Sequence, residues 1–114
     1  MVDANEMKRA NTLICNLEIL EIEAIEDRSG LYIVFDNSVI KLDCGINLSL
    51  PIKFLDVGES GELKTRLRNH DRRSEWLKLS KGDIKYGIIY CNEQDRMWLE
   101  KILRDLLNPP CGER

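Results

Sequence analysis

Phe54-Leu55-Asp56-Val57-Gly58-Glu59-Ser60-Gly61-Glu62-Leu63-Lys64-Thr65-Arg66-Leu67-Arg68-Asn69-His70 is the stretch on which the fold turns. An apolar strand, Ile52 to Val57, runs into a tight turn at Gly58. Ser60 stands where an N-cap belongs, and Glu62 falls in the first helical turn, where a carboxylate complements the helix dipole. Leu63 and Leu67 supply an apolar i, i+4 pair, and Asn69-His70-Asp71 closes the helix. Such a junction holds an arginine and the chain's only histidine beside a strand end. Arginine offers a planar fork of donors to phosphate oxygens, and histidine can exchange a proton near neutral pH.

Outward from this junction, the same logic divides the rest of the chain. Residues 1–11 are polar and mixed in charge, and read as a flexible N-terminus ahead of one domain, 12–114. Thr12 to Ile25 is dense in apolar residues but mixes alternation with helical spacing, so it reads only as a buried approach segment. Leu31 to Phe35 is aromatic and β-branched, hence a strand, and Val39 to Leu42 can pair back on it. Asp43 to Pro51 reads as a loop. A short helix over Ser74 to Leu79 stops at Gly82, and Ile84 to Cys91 is a further strand. Asn92 with Asp95 resembles a capping box at the start of a helix from Glu93 to Leu107. Leu99, Ile102, Leu103 and Leu106 form its apolar stripe, and Asn108-Pro109-Pro110 ends it. The expected architecture is α+β: a small, mostly antiparallel sheet with helices packed on it.

Composition bounds the function classes. The 114 residues suffice for one modest core, and the 43% hydrophobic and 32% charged content is ordinary for a globular chain. No apolar run approaches the ~20 residues of a membrane helix, and no secretory signal opens the chain, so a cytoplasmic protein without membrane partners is expected. Four cysteines, at 15, 44, 91 and 111, have no zinc-knuckle spacing and read as reduced, mostly buried thiols, with Cys15 and Cys91 in apolar surroundings. The net charge of −3 does not suggest a generic nucleic-acid binder. The charge is segregated, however. Residues 1–30 carry seven acidic and three basic side chains, and residues 61–82 carry seven basic and three acidic ones. The second segment is either a solvated helix face or a local field that attracts phosphates.

Arg66 and His70 are four apart and share a helix face. Arg66 either serves a phosphate or pairs with Glu62, and His70 either moves protons or simply ends the helix. Glu100, close to the apolar face of the last helix, is either a metal ligand or a partner of Arg96 or Arg104. Tyr32 by itself is a half-buried strand aromatic. In order along the chain, these residues resemble the GIY-YIG nuclease superfamily over about residues 29–113. Gly30-Leu31-Tyr32 meets the first tripeptide, Asp56-Val57-Gly58 meets the second in part, and Gly58-x-Ser60, Leu63, Arg66-Leu67 and His70 follow at the family's spacing. Glu100 falls at the metal-binding glutamate, and Asn108-Pro109-Pro110-Cys111-Gly112 is similar to the closing segment.

The resemblance implies a small central sheet of three mostly antiparallel strands flanked by helices, and a metal-dependent endonuclease that hydrolyses DNA phosphodiester bonds with one Mg²⁺ or Mn²⁺ held by Glu100. It implies that Tyr32 helps activate water, Arg66 stabilises the charge on the phosphate, and His70 assists proton transfer or holds the phosphate. Asp56 stands in place of the second tyrosine, as a base or a member of the metal shell. Ser60, Lys64, Arg68 and Asn108 would contact the substrate phosphates, although Asn108 precedes the prolines where the family's asparagine follows them. Residues 37–51 are an insertion between the two tripeptides. With no second domain after Gly112, target choice would come from such loops, from a homodimer or from a separate targeting protein. The rival expectation is a weak or inactive domain that binds nucleic acid or protein, suggested by Asp56 and the acidic net charge.

Overall fold

The computed structural model describes residues 3–36, 39–41, 45, 47–49, 52–80 and 84–112. Its centre is β2 (Gly30–Asp36), paired antiparallel on one side with β5 (Lys53–Ser60) and on the other with β6 (Ile84–Tyr90). A fourth strand, β1 (Glu18–Leu20), adds to β6, giving an antiparallel sheet in the order β1-β6-β2-β5. The class is α+β, with four strands where three were expected. The missed strand is three residues long, too short to show a period of two within its mixed apolar context. Among the described residues, Val39–Lys41 do not pair with the first strand as expected. Instead β3 (Val39–Lys41) pairs with β4 (Asn47–Ser49) as a separate ribbon. Leu42, Asp43 and Pro51 lie outside the described residues.

Helices cover both faces of the sheet. On one face α1 (Ala4–Ile14) and α4 (Glu93–Leu107) pack over Leu31, Ile33, Phe35, Val57 and Ile89. On the other, α2 (Leu63–Arg68) and α3 (Arg73–Leu79) bring Leu63, Leu67 and Trp76 against Ile25, Tyr32, Val34, Leu55 and Ile88. Residues 4–11, from the segment expected to be flexible, form α1 together with residues 12–14 of the expected approach segment. Asp3 accepts the Glu6 N–H at 2.8 Å as its N-cap, and Ala10 is buried. Helix α4 matches its expected bounds, and Asn92 accepts the Asp95 N–H at 2.8 Å. Its stripe is narrower than expected, because Leu106 is exposed while Leu99, Ile102 and Leu103 are buried. Asn108 ends the helix at φ 47°, in the left-handed region that asparagine tolerates. Cys111 is buried, but Cys15 is exposed and Cys91 intermediate. Gly82 and Cys44 lie outside the described residues. Among the described residues, no helix is long and apolar enough to cross a membrane.

Two departures in the deciding stretch shape everything nearby. The strand does not end at Gly58 but continues to Ser60, and α2 begins at Leu63. Ser60 therefore closes a strand, with its Oγ accepting the Glu62 N–H at 3.0 Å, and is not the helix N-cap. The capping carboxylate arrives from elsewhere in the chain: Asp27 accepts the Thr65 N–H at 2.9 Å and the Thr65 hydroxyl at 2.8 Å. The second departure is a bulge. Val34 faces Asp56 and Phe35 faces Phe54, so Leu55 is an extra residue on β5. The consecutive residues Leu55 and Asp56 thereby both reach the α2–α3 side, where Leu55 and Trp76 share one core cluster and Asp56 accepts the Trp76 indole N–H.

The packing yields a direct test of the α4 stripe. Leu99→Ala is expected to destabilise by about 2–5 kcal/mol, and Leu106→Ala to stay within about 0.5 kcal/mol, in urea unfolding.

Candidate active site

A cleft of about 270 Å³ opens at the β5 edge of the sheet, lined by Tyr32, Gly58, Glu59, Arg66, Arg72, Glu100 and Arg104. Gly58 makes it possible. In register, Gly58 faces Tyr32, and a Cβ on Gly58 would lie 2.1 Å from the Tyr32 hydroxyl. The phenol thus crosses the strand at the one position without a side chain, and reaches the cleft between the α2–α3 layer and α4. Its ring packs edge-on to His70 and Trp76.

Tyr32 and His70 form one unit. The Tyr32 hydroxyl lies 2.6 Å from His70 Nε2, and the backbone N–H of Arg72 donates to His70 Nδ1 at 3.1 Å. A ring nitrogen that accepts an N–H carries no proton, so the proton of the neutral ring sits on Nε2 and is donated to the phenol oxygen. Burial pushes the His70 pKa down to about 4, and the charges of Arg66 and Arg72 push the same way against Asp56 and Asp71. Asp71 lies 3.3 Å from Nδ1, but it is largely exposed and the ring is neutral, so this contact is no ion pair at neutral pH. Burial and the Asp56 charge raise the Tyr32 phenol to about 12, against the pull of Arg66 and Arg72. Tyr32 is therefore a phenol at neutral pH. With Nε2–H on its oxygen, its own proton is left to be donated into the cleft.

Asp56 is not in the cleft but beneath it. It is fully buried and takes four donors. Oδ1 accepts the Val57 N–H at 2.8 Å and Arg104 Nη2 at 2.9 Å; Oδ2 accepts Arg72 Nε at 2.8 Å and Trp76 Nε1 at 2.9 Å. Saturated in this way, it has no lone pair for a substrate proton or a metal, and the base or metal-shell role expected for it does not fit. His70, too, has both ring nitrogens engaged and its side chain wholly enclosed, so it acts on Tyr32 rather than on a phosphate.

Arg66 lines the cleft beside the Tyr32 phenol, with which its side chain interacts, and its Nη2 lies 3.4 Å from the exposed Asp71; the expected Glu62 pair is replaced by this one. Glu100 lines the same cleft, half-buried. Neither expected ion pair takes it, because Arg96 Nε bonds Glu59 at 2.5 Å and Arg104 bonds Asp56. Among the described residues no hydrogen bond or ion pair reaches the Glu100 carboxylate. Burial pushes its pKa up, and Glu59 and Asp56 add to the rise against Arg104. A half-buried carboxylate beside two others is where a cation is stabilising. With Glu59 and Asp56 both held by arginines, a single available carboxylate suits a hard ion that keeps most of its waters. Among the described residues, no three His, Cys, Asp or Glu side chains cluster as a ready-made metal site.

The four expected phosphate contacts lie outside the cleft lining. Ser60 is spent on Glu62, Lys64 Nζ donates to the Glu23 carbonyl at 3.1 Å, Arg68 is exposed, and Asn108 caps α4. The structure instead brings in Glu59, Arg72 and Arg104, none of which the sequence reading placed at the site. One signal was present. A carboxylate between Leu55 and Val57 in an apolar strand requires cationic partners, and Arg72 and Arg104 are those partners. No family model, curated protein or solved structure matches this chain.

The tautomer and its linkage are measurable, since His70 is the only histidine. Proton–nitrogen NMR of the ring is expected to show a neutral Nε2–H form down to about pH 4. The unfolded chain takes up this proton near 6.5, so stability from His70 is complete above that pH and is lost as pH falls towards 4. At about 1.4 kcal/mol per unit the loss is at most about 3 kcal/mol, and His70→Gln is expected to remove this part of the acid slope.

Proposed function

We propose that the protein is a metal-dependent endonuclease that hydrolyses DNA phosphodiester bonds by a GIY-YIG-type arrangement. The observation that carries this reading is the meeting of Tyr32, Arg66 and Glu100 on one cleft, although they come from three separate elements. Hydrolysis of a phosphodiester needs charge stabilisation at the phosphoryl oxygens, an oriented water and a proton for the leaving oxygen. Arg66 supplies the first, as a guanidinium on the cleft whose ion pair with the exposed Asp71 is long, at 3.4 Å. Tyr32 suits the last, because its oxygen is fixed by His70 and its one proton is left to be donated into the cleft. Glu100 is the residue that would hold Mg²⁺ or Mn²⁺, which as a Lewis acid would polarise the phosphate and its bound water.

A second reading is a domain that binds nucleic acid and cuts it weakly or not at all. It is favoured by Asp56, which replaces a tyrosine with a carboxylate that has no free lone pair, and by the phenol of Tyr32, raised to about 12 and hard to ionise.

Plasmid nicking in Mg²⁺ separates the two. The native protein is expected to convert supercoiled DNA to the open circle, with Glu100→Ala and Arg66→Ala slower by about 10²–10³-fold. Equal rates in all three preparations would mean a contaminating nuclease and sink the catalytic reading. Binding without nicking by the native protein would establish the second.

A further inference from the structure

Arg72 belongs to none of the motifs above, yet it lines the cleft beside Tyr32 and Arg66. Its Nε donates to Asp56 Oδ2 at 2.8 Å, and among the described residues no acceptor takes either of its terminal nitrogens. Its backbone N–H is held as well, by His70 Nδ1 at 3.1 Å. The side chain is thus tied at the base of its fork, with the two prongs unspent. Arg104, the other partner of Asp56, is different. Its Nη1 donates to the Cys111 carbonyl at 3.2 Å, and its Nη2 serves both Asp56 and the Val57 carbonyl. Arg104 is consumed by the fold; Arg72 is not.

We propose that Arg72 is a phosphate-binding residue of this cleft and that Asp56 is the positioning residue that orients it. The proposal rests on the phosphodiester reading of the site. A guanidinium fixed through Nε presents Nη1 and Nη2 as a flat pair matched to two non-bridging oxygens of one phosphate. Because Asp56 already immobilises the side chain, little rotamer entropy remains to be lost on binding. Arg66 lines the same cleft, so a second guanidinium faces the same anion. A tyrosine at position 56 would offer no carboxylate to grip Arg72. The residue that departs from the family's pattern therefore brings a second arginine to the site.

Binding of a fluorescein-labelled 12-nucleotide DNA, read by anisotropy in EDTA, tests this without any chemical step. Arg72→Met is expected to weaken binding about tenfold, the worth of a charge-assisted hydrogen-bond pair. Its slope of log affinity against log salt should fall by about one phosphate contact. Arg72→Lys keeps the charge but not the fork, and should recover little of the loss. Asp56→Asn should reproduce the loss of affinity and of slope, and the double variant should be no worse than Arg72→Met alone, because Asp56 acts through Arg72.

If Asp56→Asn does not fold, judged by thermal unfolding, the Met and Lys variants of Arg72 decide the matter. Native-like binding and slope in Arg72→Met would overturn the proposal, and additive losses in the double variant would overturn the positioning role. A native protein that binds through Arg72 but never nicks DNA would keep this assignment and defeat the nuclease reading. One that nicks normally with Arg72→Met would do the reverse.

Discussion

One buried carboxylate ties the structure together. Asp56 receives its four donors from β5 itself, from the α2–α3 connection, from α3 and from α4. An ion this deep is tolerable only if paired and fully hydrogen-bonded; Arg72 and Arg104 share the pairing, so removing both would leave an uncompensated charge worth about 3–5 kcal/mol. The helical layers on the two faces of the sheet are thereby fastened to each other at the β5 edge. The bulge at Leu55 is what turns Asp56 to this task, and the Leu55 carbonyl in turn accepts the Cys111 N–H at 3.0 Å, securing the segment after α4.

The cleft inherits its character from that clamp. Three guanidiniums and two carboxylates line it, with a third carboxylate just beneath. The same positive surroundings, together with burial, keep His70 neutral. A neutral His70, locked by the Arg72 N–H, can only donate to the Tyr32 oxygen. Electrostatics and hydrogen bonding thus agree on one protonation state for the pair, with the phenol proton directed outward. Gly58 is the spatial counterpart of this arrangement, because no other residue at that position would let the phenol pass.

Where the sequence was legible, the signals were local. Helix α4 announces itself through Asn92 and Asp95 at one end, Asn108-Pro109 at the other and an apolar stripe between. Strand β2 is β-branched and aromatic, and its placement of Tyr32 follows. Where reading failed, the deciding contacts were distant. The cap of α2 comes from Asp27, thirty-eight positions before Thr65, so Ser60 was credited with a role it does not have. The partners of Asp56 lie 16, 20 and 48 positions away, and no local pattern marks Arg72 or Arg104. α1 was missed because only Ala10 on it is fully buried, leaving a weak stripe in a charged context. A linear motif could bring Tyr32, Arg66 and Glu100 into one list. It could not foresee that Asp56 would lie under the cleft rather than in it.

The central claim is that the cleft at the β5 edge receives a nucleic-acid phosphate on its arginines, with a cation on Glu100. A crystal structure of the protein with a short DNA and Ca²⁺ in place of Mg²⁺ tests it most directly. The account predicts a phosphate within hydrogen-bond reach of Arg66 and Arg72, the Tyr32 hydroxyl beside it and the ion on the Glu100 carboxylate. A strand bound instead along exposed Lys64 and Arg68, with the cleft filled by water alone, would contradict it.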